Sequence, residues 1–333
     1  MRELAALTLA LCSCGGPAVR SLISATEEDG GVVAPADGGQ VAAADGGQVA
    51  PPPSGPSLAG CPMFPVDNPW NRDISAEPVD PHSADYLAYM GAASLRLHPD
   101  FGGPYGQPFV VVPAAQPRVP MSFLYSSQSE PGPYPFPNDL PIQANEDRHA
   151  TVLVRDECKI YETYNTFASG SGYHADSGAV FDLVSGAPRP DLWTSATASG
   201  LPILPGLVRY DEAVEQGGIR HALSFISGAT AHAYVAPATH SSGTTNAQFA
   251  PPMGLRVRLR ADFDLSGFGG ASLVVLRALQ KYGMFVTDSA NAQFWAVDGA
   301  QDSRWSIQDL DQLKTVPASA FEVVKLGTVH SGM

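Results

Sequence analysis

The chain has 333 residues, 44% of them hydrophobic and 16% charged, with 33 acidic against 19 basic side chains and a formal net charge of −14. The basic residues are scattered and not gathered into one stretch, which excludes nucleic acid as a partner because that requires a positive face. It also excludes adhesion to anionic lipid by charge alone.

The chain opens with an apolar run, Leu4 to Leu11, followed by Cys12-Ser13-Cys14. Ser13 puts a small residue before Cys14, whereas Leu11 does not do so for Cys12. This resembles the lipobox of bacterial lipoproteins, whose signal peptide is cut before a cysteine that is then diacylated. The resemblance implies a signal peptide over residues 1–13, lipidation at Cys14, and a membrane partner through the acyl anchor. The implied location is the bacterial cell envelope, at the outer membrane where one exists, since Gly15 and not Asp follows Cys14. The apolar run is too short to cross a bilayer, which takes about 20 residues. An ordinary secretory signal, giving an extracellular protein, is the competing reading.

Residues 14–60 read as a tether. Asp29-Gly30-Gly31, Asp37-Gly38-Gly39 and Asp45-Gly46-Gly47 recur, each offering one carboxylate, and Pro51-Pro52-Pro53 follows. Gly, Ala and Pro bury too little apolar surface to offset the entropy of ordering. As a coil such a segment averages roughly 35 to 40 Å between its ends.

Residues 61–333 are long enough for a single β-rich globular domain. Cys61 and Cys158 are the only cysteines beyond the leader, and in an exported chain they are expected to form one disulfide tying the start of the domain to a central strand. The predicted strands are short and bounded by turn residues: Pro108 to Val112, Met121 to Tyr125, Ala150 to Val154, Lys159 to Tyr164, Ala179 to Leu183, Ile219 to Ile226, Ala231 to Val235, Gly254 to Leu259, Met284 to Val286, Gln293 to Val297 and Phe321 to Val324. Helices are predicted at Ser83 to Met90, Leu273 to Lys281 and Ile307 to Leu313, with Gly283 capping the second. The pattern is mainly β, a β-sandwich or jelly roll with two or three short peripheral helices.

Three clusters carry candidate chemistry. Ile219 to Val235 reads as a hairpin that brings His240 back beside His221 and Arg220, with His232 nearer the turn and Tyr234 on the return strand. His221 or His240 is then a base or metal ligand, and Arg220 or Arg256 neutralises a substrate charge. In the second cluster, glycines flank His174 and a strand carries Asp182, which orients a histidine or binds metal. His174, Asp182 and His221 form the metal alternative, a divalent ion being the only cofactor in question; no tight ligand spacing such as HExxH accompanies them. In the third, Trp70 lies between Asn68 and Asn71 and either stacks on a sugar ring or docks the N-terminal segment on the core. No Gly-x-Ser-x-Gly, Walker or Rossmann pattern occurs.

The stretches Asp67-Asn68-Pro69-Trp70-Asn71, Leu201 to Arg209, Ile219 to Leu223, Pro252 to Leu259 and Lys281-Tyr282-Gly283-Met284 resemble an uncharacterised family of secreted bacterial proteins. That resemblance spans roughly residues 61 to 325 and implies no activity. The expectation is an envelope-anchored domain that binds or cleaves a glycan, as polysaccharide hydrolase or lyase, with a non-catalytic glycan-binding or structural envelope protein as the alternative. Convergence of His174, Asp182, His221 and His240 on one cleft favours the enzyme; dispersal favours the binder.

Overall fold

A computed structural model describes residues 55–144, 147–290 and 294–332. Cys14, the leader and the tether up to residue 54 lie outside the described residues, as does Gln293. The chain divides after Ala50, and residues 51–333 form one compact unit. Regular structure begins ahead of Cys61, with Ser57–Leu58 paired to Cys61–Pro62.

The domain is β-rich with few short helices. The larger sheet orders six strands: Phe321–Val323, Arg256–Leu259, Met284–Ser289, Leu223–Ser227, Trp295–Asp298 and Leu97–Asp100. Its pairing is mixed. Leu223–Ser227 runs parallel to Met284–Ser289 and antiparallel to Trp295–Asp298, and the latter runs parallel to Leu97–Asp100. A four-stranded sheet orders Ser177–Asp182, Lys159–Tyr164, Ala150–Val154 and Phe109–Val112, antiparallel except for the last pair.

Both sheets feed one hydrophobic core. Leu153, Ile160, Ala179 and Phe181 from the smaller sheet belong to the same buried cluster as Leu223, Phe225, Val257, Val286 and Trp295 from the larger. The smaller sheet is covered on its other face as well, where Val152, Val154 and Tyr161 meet Tyr134 and Phe136. This explains why all five residues of Ala150–Val154 are buried: a strand coated on both faces loses the hydrophobic-polar alternation.

Helices fall at Ser83–Tyr89, Gly270–Lys281 and Ile307–Leu310, the three predicted places. Gly270–Lys281 buries Ala271, Val275, Leu276, Ala278 and Leu279, the spacing of one helical face. Gly283 at φ +65° ends it, and a Cβ there would lie 2.2 Å from the Val257 carbonyl oxygen. No described helix is long and apolar enough to cross a membrane.

Two expectations are corrected. The hairpin over Ile219 to Val235 does not form. Leu223–Ser227 is an interior strand with a partner on each side, and Ala233–Val235 pairs instead with Val329–Ser331. Leu223 and Phe225 are fully buried, so their strand gains more from two long-range neighbours than from a hairpin on the rim. Residues 219–222 are not strand, and the Ala222 N–H donates to the Trp70 carbonyl at 2.7 Å. The Cys61–Cys158 disulfide is present, but Cys158 sits in the turn between Ala150–Val154 and Lys159–Tyr164, not in a central strand.

Candidate active site

Alternation along the larger sheet splits its residues between two environments. Leu223, Phe225 and Val297 point into the core. Ser224, Ile226, Asp298 and Asp100 line a cavity of about 680 Å³ on the opposite face. Asp298 lies directly across from Asp100 on parallel strands, one strand spacing away, about 4.8 Å between backbones. Asp288, at the end of Met284–Ser289, lines the same cavity from the other side of Leu223–Ser227. Further walls come from the smaller sheet, through Tyr164 and Ser177, from Asp147, and from the segment of His240 to Thr244.

These carboxylates raise one another's proton affinity. Loss of hydration and the charges of Asp100, Asp288 and Asp147 hold the Asp298 carboxyl well above the ordinary range. Burial lifts Asp288 to about 6, against the opposing backbone N–H donors of Ser289 at 2.8 Å and Ala198 at 3.3 Å. Asp100 is raised as well, by burial and by Asp147, with His98 pulling the other way. Among the described residues neither lysine nor arginine lines the cavity.

Two histidines have a defined tautomer. His240 Nδ1 is 2.8 Å from the Ala198 carbonyl and His232 Nδ1 is 3.1 Å from the Gly243 carbonyl. A carbonyl only accepts, so each Nδ1 donates and the neutral ring keeps Nε2 as an acceptor. Burial lowers the His240 pKa, against the raising effect of the Ala198 carbonyl. Among the described residues Ser224 Oγ, Thr287 Oγ1 and Gln107 Oε1, all on residues lining this cavity, are buried and have no hydrogen-bond partner. Buried polar groups are ordinarily satisfied, so a wall with three unsatisfied ones is shaped for a polar occupant.

No protein-family model, curated protein or solved structure matches the chain. The site therefore rests on its own geometry.

Of the residues singled out from sequence, His240 lines this cavity. His221 is fully buried elsewhere, with Nε2 3.0 Å from Glu212 Oε2 and Nδ1 2.7 Å from the Ala222 carbonyl. Arg220 is exposed at the surface. Asp182 stands at the far end of its strand, about 16 Å along from Ser177, and its Oδ1 accepts the N–H groups of Val184 and Ser185 at 2.9 and 3.0 Å. Those bonds, that from Ser185 first, pull its carboxyl below the usual range. His174 belongs to the small sheet of Met121–Phe123, Gly172–Ala175 and Phe167–Ser169, with Nδ1 3.0 Å from Ser122 Oγ. Among the described residues no three His, Cys, Asp or Glu side chains form a group able to hold a metal, so His174, Asp182 and His221 are not assembled as ligands.

The three substrate-binding candidates are structural in their immediate contacts. Trp70 is buried with its ring edge-on to Phe285 at 5.0 Å, which docks the N-terminal segment. Tyr234 donates its hydroxyl to Asp191 Oδ1 at 2.6 Å. Trp70 and Tyr234 line a second, largely apolar cavity of about 420 Å³. Arg256 lies over the Phe285 ring and donates to the backbone carbonyls of Pro69, Arg72 and Tyr282.

Asp100, Asp288 and Asp298 were not among the candidates. Their signal is in the chain nonetheless: each closes a short run, Leu97-His98-Pro99-Asp100, Phe285-Val286-Thr287-Asp288 and Trp295-Ala296-Val297-Asp298.

Proposed function

We propose that this protein is a glycan hydrolase that works not through His174, Asp182 and His221, whose dispersal removes the enzyme first expected from them, but in the cavity of Asp100, Asp288 and Asp298. The observation that carries the reading is the facing pair Asp100 and Asp298 on the cavity floor, where loss of hydration and like charge raise the proton affinity of Asp298, with Asp288 across the sheet. Two carboxyl groups with pKa values pushed apart are what glycosidic hydrolysis uses, one as acid and one as base. Asp298 gives its proton to the leaving glycosidic oxygen. Asp288 takes a proton from the water whose oxygen bonds to the anomeric carbon. Asp100 favours retention of the proton on Asp298 until that step.

Asp288 is level with Ile226 and Asp298 with Ser224 on the one intervening strand, so their backbones stand about 12 Å apart, a layout that leaves space for a water between their side chains. A lyase acting on uronates would need a cation to neutralise the substrate carboxylate, and this cavity has no lysine or arginine in its lining. Hydrolysis is accordingly preferred over elimination.

The test is reducing-end release by the full-length protein from a panel of neutral, amino and acidic polysaccharides. Asp298→Asn is expected to lower turnover on the responsive substrate by at least about 100-fold. Retention of a polysaccharide without cleavage by the wild type would replace the hydrolase with a glycan-binding module.

The Cys61–Cys158 disulfide is compatible with an extracellular protein. Anchoring to the envelope through an acylated Cys14 is proposed on the Ser13-Cys14 boundary. Palmitate labelling should be lost in Cys14→Ser; label that survives there and disappears in Cys12→Ser would overturn the assignment.

A further inference from the structure

We infer that the glycan taken by this cavity carries free amino groups, an inference that rests on the glycan reading above and narrows it to a substrate class. Asp100, Asp288 and Asp298 line the cavity, whereas among the described residues no lysine or arginine does. The whole chain carries a formal charge of −14, so the long-range field favours approach of a cationic polymer and opposes an anionic one.

The short-range chemistry agrees. A sugar ammonium brings donors and no acceptor, which complements a wall of carboxylates. An acetamido group instead adds a carbonyl acceptor and a methyl to that wall, and a uronate adds like charge. The independent observation is the pair of hydroxyls left without partners. Ser224 Oγ and Thr287 Oγ1 belong to residues only 2% and 1% exposed, and both residues line the same cavity. The register that pairs Phe225 with Val297 puts Ser224 level with Asp298, and Asp298 is paired with Asp100. A sugar ring seated at that level of the sheet places its amine by Asp100, the carboxylate that neither gives nor takes the reaction's proton.

Calorimetric titration of the full-length protein with three hexamers tests this: β-1,4-linked glucosamine, its N-acetylated counterpart, and galacturonate, with spermidine as a non-sugar cation. The glucosamine hexamer should bind at least about tenfold more tightly than the N-acetylated one at low salt, with the margin shrinking as salt rises. Asp100→Asn should cut that margin to about threefold or less, and Ser224→Ala, a milder change, should weaken every hexamer that binds. The wild-type preference stands as a readout even where a variant fails to fold. Equal or tighter binding of the N-acetylated hexamer overturns the amino-sugar class and leaves the glycan hydrolase standing; a preference for galacturonate overturns the class by reversing the charge argument. Spermidine binding with no affinity for any hexamer overturns both the inference and the glycan reading.

Discussion

At the scale of single residues, two groups of buried carboxylates behave in opposite ways because their neighbours differ in sign. Glu212, 2% exposed, is flanked by Arg209 Nη2 at 2.7 Å and His221 Nε2 at 3.0 Å. Burial alone would raise its pKa, but His221 and Arg209 outweigh burial and hold it below the ordinary value. Its contribution to stability is thus present above the ordinary glutamate range near 4.5 and is lost as pH falls through the lower folded value. Glu212→Gln leaves Arg209 buried without that carboxylate and should cost about 3 to 5 kcal/mol, read as a lower denaturation midpoint at pH 7. Asp288 has no cation in this role. Its folded pKa of about 6 lies above the ordinary aspartate value of 3.8, so its contribution is fully present below 3.8 and is lost as pH climbs through 6. Asp288→Asn should therefore raise the melting temperature at pH 8 by about 2 °C or more and leave it nearly unchanged at pH 4. Activity should follow the same groups. It falls as pH drops through about 6 and Asp288 takes up a proton, and falls again on the alkaline side when Asp298 loses the one it donates, giving a bell-shaped profile. A flat profile across that range would remove both residues from the chemistry.

Secondary-structure elements were legible where a local rule suffices. Leu273 to Lys281 shows helical spacing and Gly283 ends it, so the helix falls where it is predicted, extended back to Gly270. What begins the helix is not local. Gly269 offers no side chain, and the first N–H groups are capped from another element, with Asp309 Oδ2 accepting from Ala271 at 2.7 Å and Oδ1 from Ser272 at 3.2 Å. Gly270 at φ +55° permits this approach, since a Cβ there would lie 2.1 Å from Asp309 Oδ2. Asp309→Ala removes a carboxylate from a helix N-terminus and two accepted hydrogen bonds. A loss of about 1 to 2 kcal/mol is expected, with Asp309→Asn retaining part of it; denaturant titration of the three proteins would show the order. Strand positions were similarly readable from short bounded runs, but their partners were not. Leu223–Ser227 looks as ready to pair with the nearby Ala233–Val235 as with Met284–Ser289, because period-two alternation specifies a face and says nothing of which edge is met.

At the scale of the whole molecule, the disulfide closes a separation of 97 residues and clamps the N-terminal segment to the turn of the smaller sheet. Loop-closure entropy for a crosslink of that span is roughly 4 to 5 kcal/mol. Reduction, or Cys61→Ser with Cys158→Ser, should lower unfolding stability by up to about that amount, measured by denaturant titration; an unchanged midpoint would mean that other contacts already fix the segment. The sequence by itself determined the β-rich class, the three helix positions and the bond between Cys61 and Cys158, because composition, local periodicity and cysteine arithmetic each act within one stretch or on the whole sum. His240 lines the cavity, but the sequence does not distinguish it from His221, since both are histidines near strand ends and only folding shows that Glu212 takes up one of them. Tertiary structure alone decided the site. Asp100, Asp288 and Asp298 come from separated segments of the chain, and their proton affinities depend on being neighbours across a sheet whose strand order no local signal encodes.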